Sequence, residues 1–326
     1  MIQIENSFFA LAEASERNCL IICDRGTMDA SAFVAKKDWE EMMFKNQMDE
    51  VDIRDNRYNQ VGLILSRHLD LHDTCLQVVH MVTAATGAEE YYSVEHHATR
   101  LETLDEARER DRLAAEAWIG HPYVDIIDNS SDFENKINRL ISAVALKIGV
   151  DIGDRLNTNA KKIKFAVNGP LPKDSAFPNF RDFEVTHNYL QTASRTMQSR
   201  LRKRGRQGKF SYIHTIRNQV GGQVIEVKTP VGHREYSHLL DQTDPLHLTV
   251  NKTRRCFMYN NQYFQLDIYK EPCHPRCRGL ILLETYTTLS PREFTERLPS
   301  FLNIDQQVVK NDQNKSILDL KECTIF

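Results

Sequence analysis

The stretch Arg200-Leu201-Arg202-Lys203-Arg204 sets three guanidinium groups at alternate positions. In an extended strand, residues i, i+2 and i+4 line one face, so all three project together. Lys252 and Arg254 repeat the spacing, and Lys228 ends the run Val224-Ile225-Glu226-Val227-Lys228. Cations at alternate positions on several strands converge where a sheet curls. Crowded, buried like charges of this kind call for a negatively charged guest. Leu201 and Lys203 take the opposite face, and the competing interpretation is an outward basic face bathed in water.

The strand pattern continues on both sides. Period-two alternation marks residues 163–167, 183–190, 210–215, 224–227, 246–250, 255–259, 263–269 and 279–284, separated by Gly-Pro, Gly-Gly and Asn-Asn turns. Such tight spacing predicts hairpins and an antiparallel sheet or barrel. A linker at 149–162 precedes this region. Before it the pattern is helical. Residues 2–17 place Ile4, Phe8, Leu11 and Ala12 on one helix face, and 29–35, 38–46 and 104–117 also read as helices. Residues 132–148 form an amphipathic helix whose Phe133, Ile137, Leu140, Ile141, Val144 and Ile148 are spaced for burial. The apolar run Leu20-Ile21-Ile22-Cys23 and residues 123–127 read as buried strands. The class is therefore α+β: an α/β module over 1–155, then an antiparallel β domain over 156–326.

Charge divides at the same place. From Ala160 onward there are 26 Lys and Arg against 16 Asp and Glu, +10, which leaves 16 against 29, −13, for the residues before it. The second module is thus suited to anionic partners. Apolar runs fall far short of the ~20 residues needed to cross a bilayer, and seven scattered cysteines suit a reduced, cytoplasmic chain. The basic stretch from Arg200 to Lys209 lacks the interleaved aromatics of a base-stacking platform, which argues against nucleic acid. Cys273-His274-Pro275-Arg276-Cys277 reads as a loop rather than half a zinc site.

In the first module, Asp24 follows an apolar run, the position where phosphate-transfer proteins hold Mg²⁺ or its water. Arg25 beside it offers a fork for phosphate. Arg108 and Arg112 lie on one charged helix, either as a lid over phosphates or as a solvated face of i,i+3 and i,i+4 ion pairs. No G-x-x-x-x-G-K-[ST] loop is present to cradle a triphosphate.

Asp24-Arg25-Gly26-Thr27-Met28-Asp29-Ala30, His121-Pro122-Tyr123, Ile127-Asp128-Asn129-Ser130 and the strand-rich second half resemble the TRPL translocation defect protein family. That resemblance implies a P-loop nucleoside-kinase-like domain joined to a CYTH-like domain, here shortened from an internal methionine and lacking the P-loop. It also implies guanine-nucleotide (GTP) binding, phosphoinositide binding and a role in membrane-protein trafficking, with peripheral attachment to a membrane surface. GTP binding would rest on Asp24, Arg25, Arg108 and Arg112 without a phosphate cradle. A CYTH-like tunnel holds a polyphosphate on inward cations, here Arg200, Arg202, Arg204, Lys228, Lys252 and Arg254, and metal ions such as Mg²⁺ on inward acids. Catalytic relatives open with E-x-E-x-K on the first strand. Taken as that strand, Phe183-Glu184-Val185-Thr186-His187-Asn188 keeps Glu184, and Asp267 and Glu284 complete a reduced acid set. The expected function is a non-catalytic adaptor, with a metal-dependent phosphohydrolase or phosphotransferase as the alternative.

The family pattern would run from Arg57-Tyr58-Asn59-Gln60 almost directly into Val78-Val79-His80-Met81, which leaves residues 61–77 foreign to it. Valine codons begin GT and one glutamine codon is CAG, so an in-frame retained intron from Val61 to Gln77 is a coherent hypothesis. Sequencing the message across this junction tests it: a spliced form lacking these codons is expected, and a fully spliced message that keeps them refutes it.

Overall fold

The structure is a computed structural model, and residues 1–15, 17, 19–57, 77–92, 102–148, 161–194, 196–220, 223–287, 289 and 291–307 are described. Residues 61–76 of the intron hypothesis lie outside them.

The first half contains helices α1 (Ile2–Glu13), α2 (Lys36–Lys45), α3 (Leu104–Ala117) and α4 (Phe133–Ile148), with two short strands, β1 (Val78–Met81) and β2 (Val124–Ile127). The strands run parallel, Val78 beside Val124. Helix α3 starts where its sequence says it must. The Thr103 hydroxyl accepts the Glu106 N–H and the Glu106 carboxylate accepts the Thr103 N–H, a reciprocal cap on two orphan donors.

Three expectations fail in this half. The run Leu20-Ile21-Ile22-Cys23 is not a strand, and Ile22 is 82% exposed; an apolar run becomes a strand only beside a pairing neighbour. Ile4, Phe8 and Leu11 of α1 face outward, and the buried side chain of that helix is Glu5, which takes Arg57 at 2.5 Å. Helix α4 departs from its stripe in part. It exposes Phe133 and Ile141, leaves Ile137, Leu140 and Val144 half-buried, and buries Lys136, Arg139 and Ser142 with Ala143 and Ala145. The tip of β2 supplies the reason. Asp128 accepts Arg139 at 2.9 Å and Asn129 accepts Lys136 at 2.6 Å, so polar partners outweigh the apolar stripe.

The second half is a nine-stranded antiparallel sheet. Its strands are β3 (Lys161–Val167), β4 (Phe180–Leu190), β5 (Met197–Arg206), β6 (Lys209–Val220), β7 (Gln223–Pro230), β8 (Val250–Tyr259), β9 (Gln262–Lys270), β10 (Ile281–Thr287) and β11 (Ile304–Gln307), in the order β11-β3-β10-β9-β8-β4-β5-β6-β7. Residues 246–249, expected as strand, are turn and coil around a single bridge residue, His247, and a helix α5 (His233–Leu240) appears that the sequence did not announce. Period two sends one residue set to each face. The outer set, with Phe257, Phe264, Leu266, Leu283 and Phe165, forms the main apolar core under Phe177, Phe294 and Leu302. Farther along, Leu201 is covered by Tyr236 of α5.

The inner face is concave. β7 and β10 are six steps apart in the ladder, roughly 29 Å if the sheet were flat. Yet the Lys147 ammonium lies 3.6 Å from the Tyr123 ring and 5.0 Å from the Tyr286 ring of β10, and Lys228 of β7 lies 5.8 Å from that same Tyr123 ring. One end of this concavity is filled by the first half. Trp118, Ile119, Met28 and Trp39 pack on Phe183, Val185, Cys256 and Tyr263 as one core. Gly120 sits at φ +106°, and the Phe183 ring occupies the place its Cβ would take, so glycine is required there. Its N–H donates to the Tyr263 hydroxyl at 3.0 Å, and that hydroxyl donates to the His121 carbonyl at 3.1 Å. Arg204, 1% exposed, donates to Asp55 at 2.8 Å and to the Gly120 carbonyl.

The Arg204–Asp55 pair therefore clamps the two halves. Arg204→Ala leaves a buried carboxylate with Arg54 as its remaining cation and is expected to cost about 3–5 kcal/mol, read by urea unfolding. Asp55→Ala in addition should cost much less than the sum of the single changes, and strict additivity would remove the clamp.

Candidate anion-binding site

Beyond this plug the inner face is polar. Directly opposed residues share a face, and the register lines up His187 with Arg202, Val185 with Lys252, Arg254 with Asp267, and Glu284 with Lys164. Arg200 and Lys228 both oppose Thr215. The curl gathers Lys162, Lys164, Arg200, Arg202, Lys228, Lys252 and Arg254 around Glu226, Asp267 and Glu284.

The acids are fully engaged. Asp267 accepts Arg254 through both carboxylate oxygens at 2.6 Å each, and Lys252 at 2.7 Å. Glu284 accepts Lys162 at 2.9 Å, Lys164 at 2.7 Å and Arg254 at 3.4 Å. Burial alone would raise the Glu284 carboxyl, but Lys162, Arg254 and Lys164 outweigh it and hold it well below the usual carboxylate range. Glu226 takes Lys228 at 2.5 Å, and Arg217 as well.

Among the described residues no acid is left for Arg202. Its Nε and Nη2 are buried without a hydrogen-bond partner among the described residues, and so are both ring nitrogens of His187 opposite. Burial, with Arg204, Arg254 and Arg200 nearby, brings the Arg202 guanidinium down to about 10. Burial and the surrounding Arg200, Lys252, Arg202 and Arg254 push His187 well below its ordinary value, so the imidazole stays neutral. Arg200 is also brought down to about 10, by burial and by Arg217. Tyr123 reaches in from the first half. Burial would raise its phenol, but Lys228, Arg202 and Lys147 pull it below its ordinary value. Buried donors without acceptors cost 1–3 kcal/mol each, more when charged. An oxyanion between Arg202 and His187 would remove that cost.

The sequence-derived candidates fall out unevenly. Arg200, Arg202, Lys228, Lys252, Arg254, Asp267 and Glu284 share the inner face. Arg204 shares it too, but it is spent on Asp55 and Gly120 and offers nothing to a ligand. Glu184 is exposed and opposes Gly205 and Thr253, which puts it on the outer face, out of phase with Asp267 and Glu284. The strand beside β10 is β3, not β4, and its inward side chains are Lys162 and Lys164. Asp24, Arg25, Arg108 and Arg112 do not converge. Asp24 is exposed, and Arg25 lies over the Phe33 ring at 4.8 Å. Arg108 pairs with Asp105 and Glu89 at 3.0 Å, and Arg112 pairs with Glu109 and Glu116; helix-surface ion pairing accounts for them. Cys277 is buried and disulfide-bonded, which corrects the expectation of a wholly reduced chain; Cys19, Cys23, Cys256 and Cys273 are free thiols.

His187, Lys162 and Lys164 were not singled out from the sequence, and Tyr123 entered only as part of the His121-Pro122-Tyr123 segment, with no role at the site. The parity of Phe183, Val185 and His187 would have found the histidine, and that of Lys162 and Lys164 the lysines. Nothing in the local pattern around Tyr123 tells that it meets the cations of the sheet.

Mg²⁺ seeks several carboxylate and water oxygens in octahedral array. Here Asp267 and Glu284 are saturated by ammonium and guanidinium groups and Glu184 points away, so the donor set does not fit the ion. No His, Cys, Asp and Glu group suited to a metal occurs among the described residues, nor does a helix long and apolar enough to cross a membrane.

No protein-family profile matches the chain, and no curated protein does. Solved structures do. The hypothetical protein NE1496 matches at 22% identity over 48% of this chain and 94% of that one, with a TM-score of 0.34. The inorganic triphosphatase NE1496 matches at 20% over 48% of this chain and 91% of that one, with a TM-score of 0.34. The PH1819 protein of Pyrococcus horikoshii OT3 matches at 16% over 46% and 95%, TM-score 0.32.

Lys252 gives the site a pH dependence. Burial and Arg254 bring its ammonium down to about 8, against the pull of Asp267 and Glu284. The charged form is present below that value and lost above it, so anion affinity is expected to fall as pH rises through about 8. Binding at that pH should take up a proton, seen as a buffer-dependent calorimetric enthalpy. Lys252→Arg should flatten the profile, and an unchanged profile in that variant would remove Lys252 as its source.

Proposed function

We propose that the curled sheet binds a phosphate-bearing anion, a linear polyphosphate or a multiply phosphorylated headgroup, and holds it without hydrolysis. The observation that carries this reading is the pair of inward, unpartnered groups, Arg202 and His187, inside a cation cluster whose acids are already consumed. A guanidinium fork is suited to phosphate oxygens, and a neutral imidazole adds one donor. The finer reading follows from the family resemblance: an adaptor in membrane-protein trafficking that meets a phosphoinositide at the membrane surface, or a guanine nucleotide such as GTP, through this cradle. Nucleotide binding through the first half finds no support in its scattered Asp24, Arg25, Arg108 and Arg112.

Calorimetry on the full chain with tripolyphosphate, inositol polyphosphates and GTP, and flotation with phosphoinositide vesicles, tests the proposal and separates its sources. At least one ligand is expected to bind stoichiometrically. Arg202→Ala should weaken it roughly 10–100-fold, the worth of one or two charge-assisted hydrogen bonds. Binding indifferent to Arg202, or phosphate release abolished by Glu284→Gln, would overturn the reading.

A further inference from the structure

We infer that this concavity takes its phosphate ligand without a divalent cation, because Lys162, Lys164, Lys252 and Arg254 supply the positive charge that Asp267 and Glu284 would otherwise draw from a metal. The inference rests on the anion-binding reading above and goes beyond it to how charge is balanced in the bound state.

The register makes the replacement local. Glu284 stands directly opposite Lys164, and Lys162 opposite Tyr286, one inward position along the same strand. The two ammonium groups take the two oxygens of Glu284 separately, Lys164 on Oε1 and Lys162 on Oε2. Asp267 is treated likewise, with Arg254 on both oxygens and Lys252 on Oδ2. A metal entering here would have to displace ammoniums from both carboxylates and then sit within reach of the displaced charges. Like-charge repulsion at such distances stays strong even at a protein-surface dielectric of about 20.

The same groups remain able to serve a ligand. An ammonium has three donors, and each of these lysines uses one on Glu284. Lys162 and Lys164 keep 37% and 41% of their side-chain surface in solvent, so their tips line the open part of the concavity, whereas Glu284 beneath them keeps 4%. A phosphate chain gripped by Arg202 and His187 would meet these free N–H donors rather than metal-bound water.

The test is calorimetry with sodium tripolyphosphate on the full chain, once with excess EDTA and once with Mg²⁺. Affinity in EDTA is expected to be at least as high as with Mg²⁺, because free Mg²⁺ competes for the tripolyphosphate. Lys162→Ala/Lys164→Ala should lose about tenfold or more in affinity, as Glu284 is left facing the anion. Binding that appears only with Mg²⁺ overturns the inference while leaving anion binding intact. No tripolyphosphate binding under either condition overturns the inference, and failure of the inositol polyphosphates and GTP as well removes the anion-binding reading. Mn²⁺ spectroscopy gives a second readout. The native chain should leave the free-ion signal unchanged, and Lys162→Glu/Lys164→Glu, which sets new carboxylates beside Glu284, should diminish it. A native chain that captures Mn²⁺ through a site lost in Glu284→Gln contradicts the proposal.

Discussion

The buried contact of Arg204 with Asp55 and the Gly120 carbonyl determines what the rest of the concavity can be. It draws residues 118–123 of the first half into one end of the curled sheet, where Gly120 alone fits beneath the Phe183 ring. That end becomes apolar core, with Trp118 and Ile119 on Val185 and Cys256. The other end keeps its charges. One strand, β5, thus divides its three alternating arginines between structure and site: Arg204 closes the fold, and Arg200 and Arg202 face the open space. Tyr123, carried on the same inserted segment, reaches the cations Lys228 and Arg202. The first half therefore helps shape the cradle as well as filling its end.

The electrostatics follow from counting partners rather than charges. Burial works against every ionised group in the concavity. Arg254 overcomes it with two hydrogen bonds to Asp267 and one to Glu284, and is held charged well above its ordinary value. Arg202 has no such acid among the described residues and burial brings it down, as it does Lys252, which shares Asp267 with Arg254. The site is thus graded, from a neutralised floor of acids under lysines to a wall, Arg202 and His187, whose donors are unmet. A folded protein tolerates unmet buried donors where a ligand supplies the acceptor.

Much of the second half was legible in its sequence because strand parity is a local signal. The alternation at Arg200, Arg202 and Arg204 gave the correct face, as it did for Lys252 with Arg254. The same rule, applied to β4, would have rejected Glu184, which is out of phase with Val185 and His187. The parting of Arg204 from Arg202 was not legible, because Asp55 lies 149 residues away in the chain. The first half misled for a related reason. The apolar stripe of α4 predicts burial, but Asp128 and Asn129 at the tip of β2 hold its Arg139 and Lys136 inward. Periodicity reports what a helix can bury, not which face its neighbours will claim. The run Leu20-Ile21-Ile22-Cys23 shows the same limit, since no propensity makes a strand without a partner.

Diffraction from crystals of the full chain soaked in tripolyphosphate and EDTA tests the central claim most directly. The account predicts phosphate density within hydrogen-bond distance of Arg202 Nε and Nη2 and of a His187 ring nitrogen, with the Lys162 and Lys164 ammonium groups still on Glu284. A concavity free of phosphate, with the Arg202 guanidinium turned out into water, would contradict it.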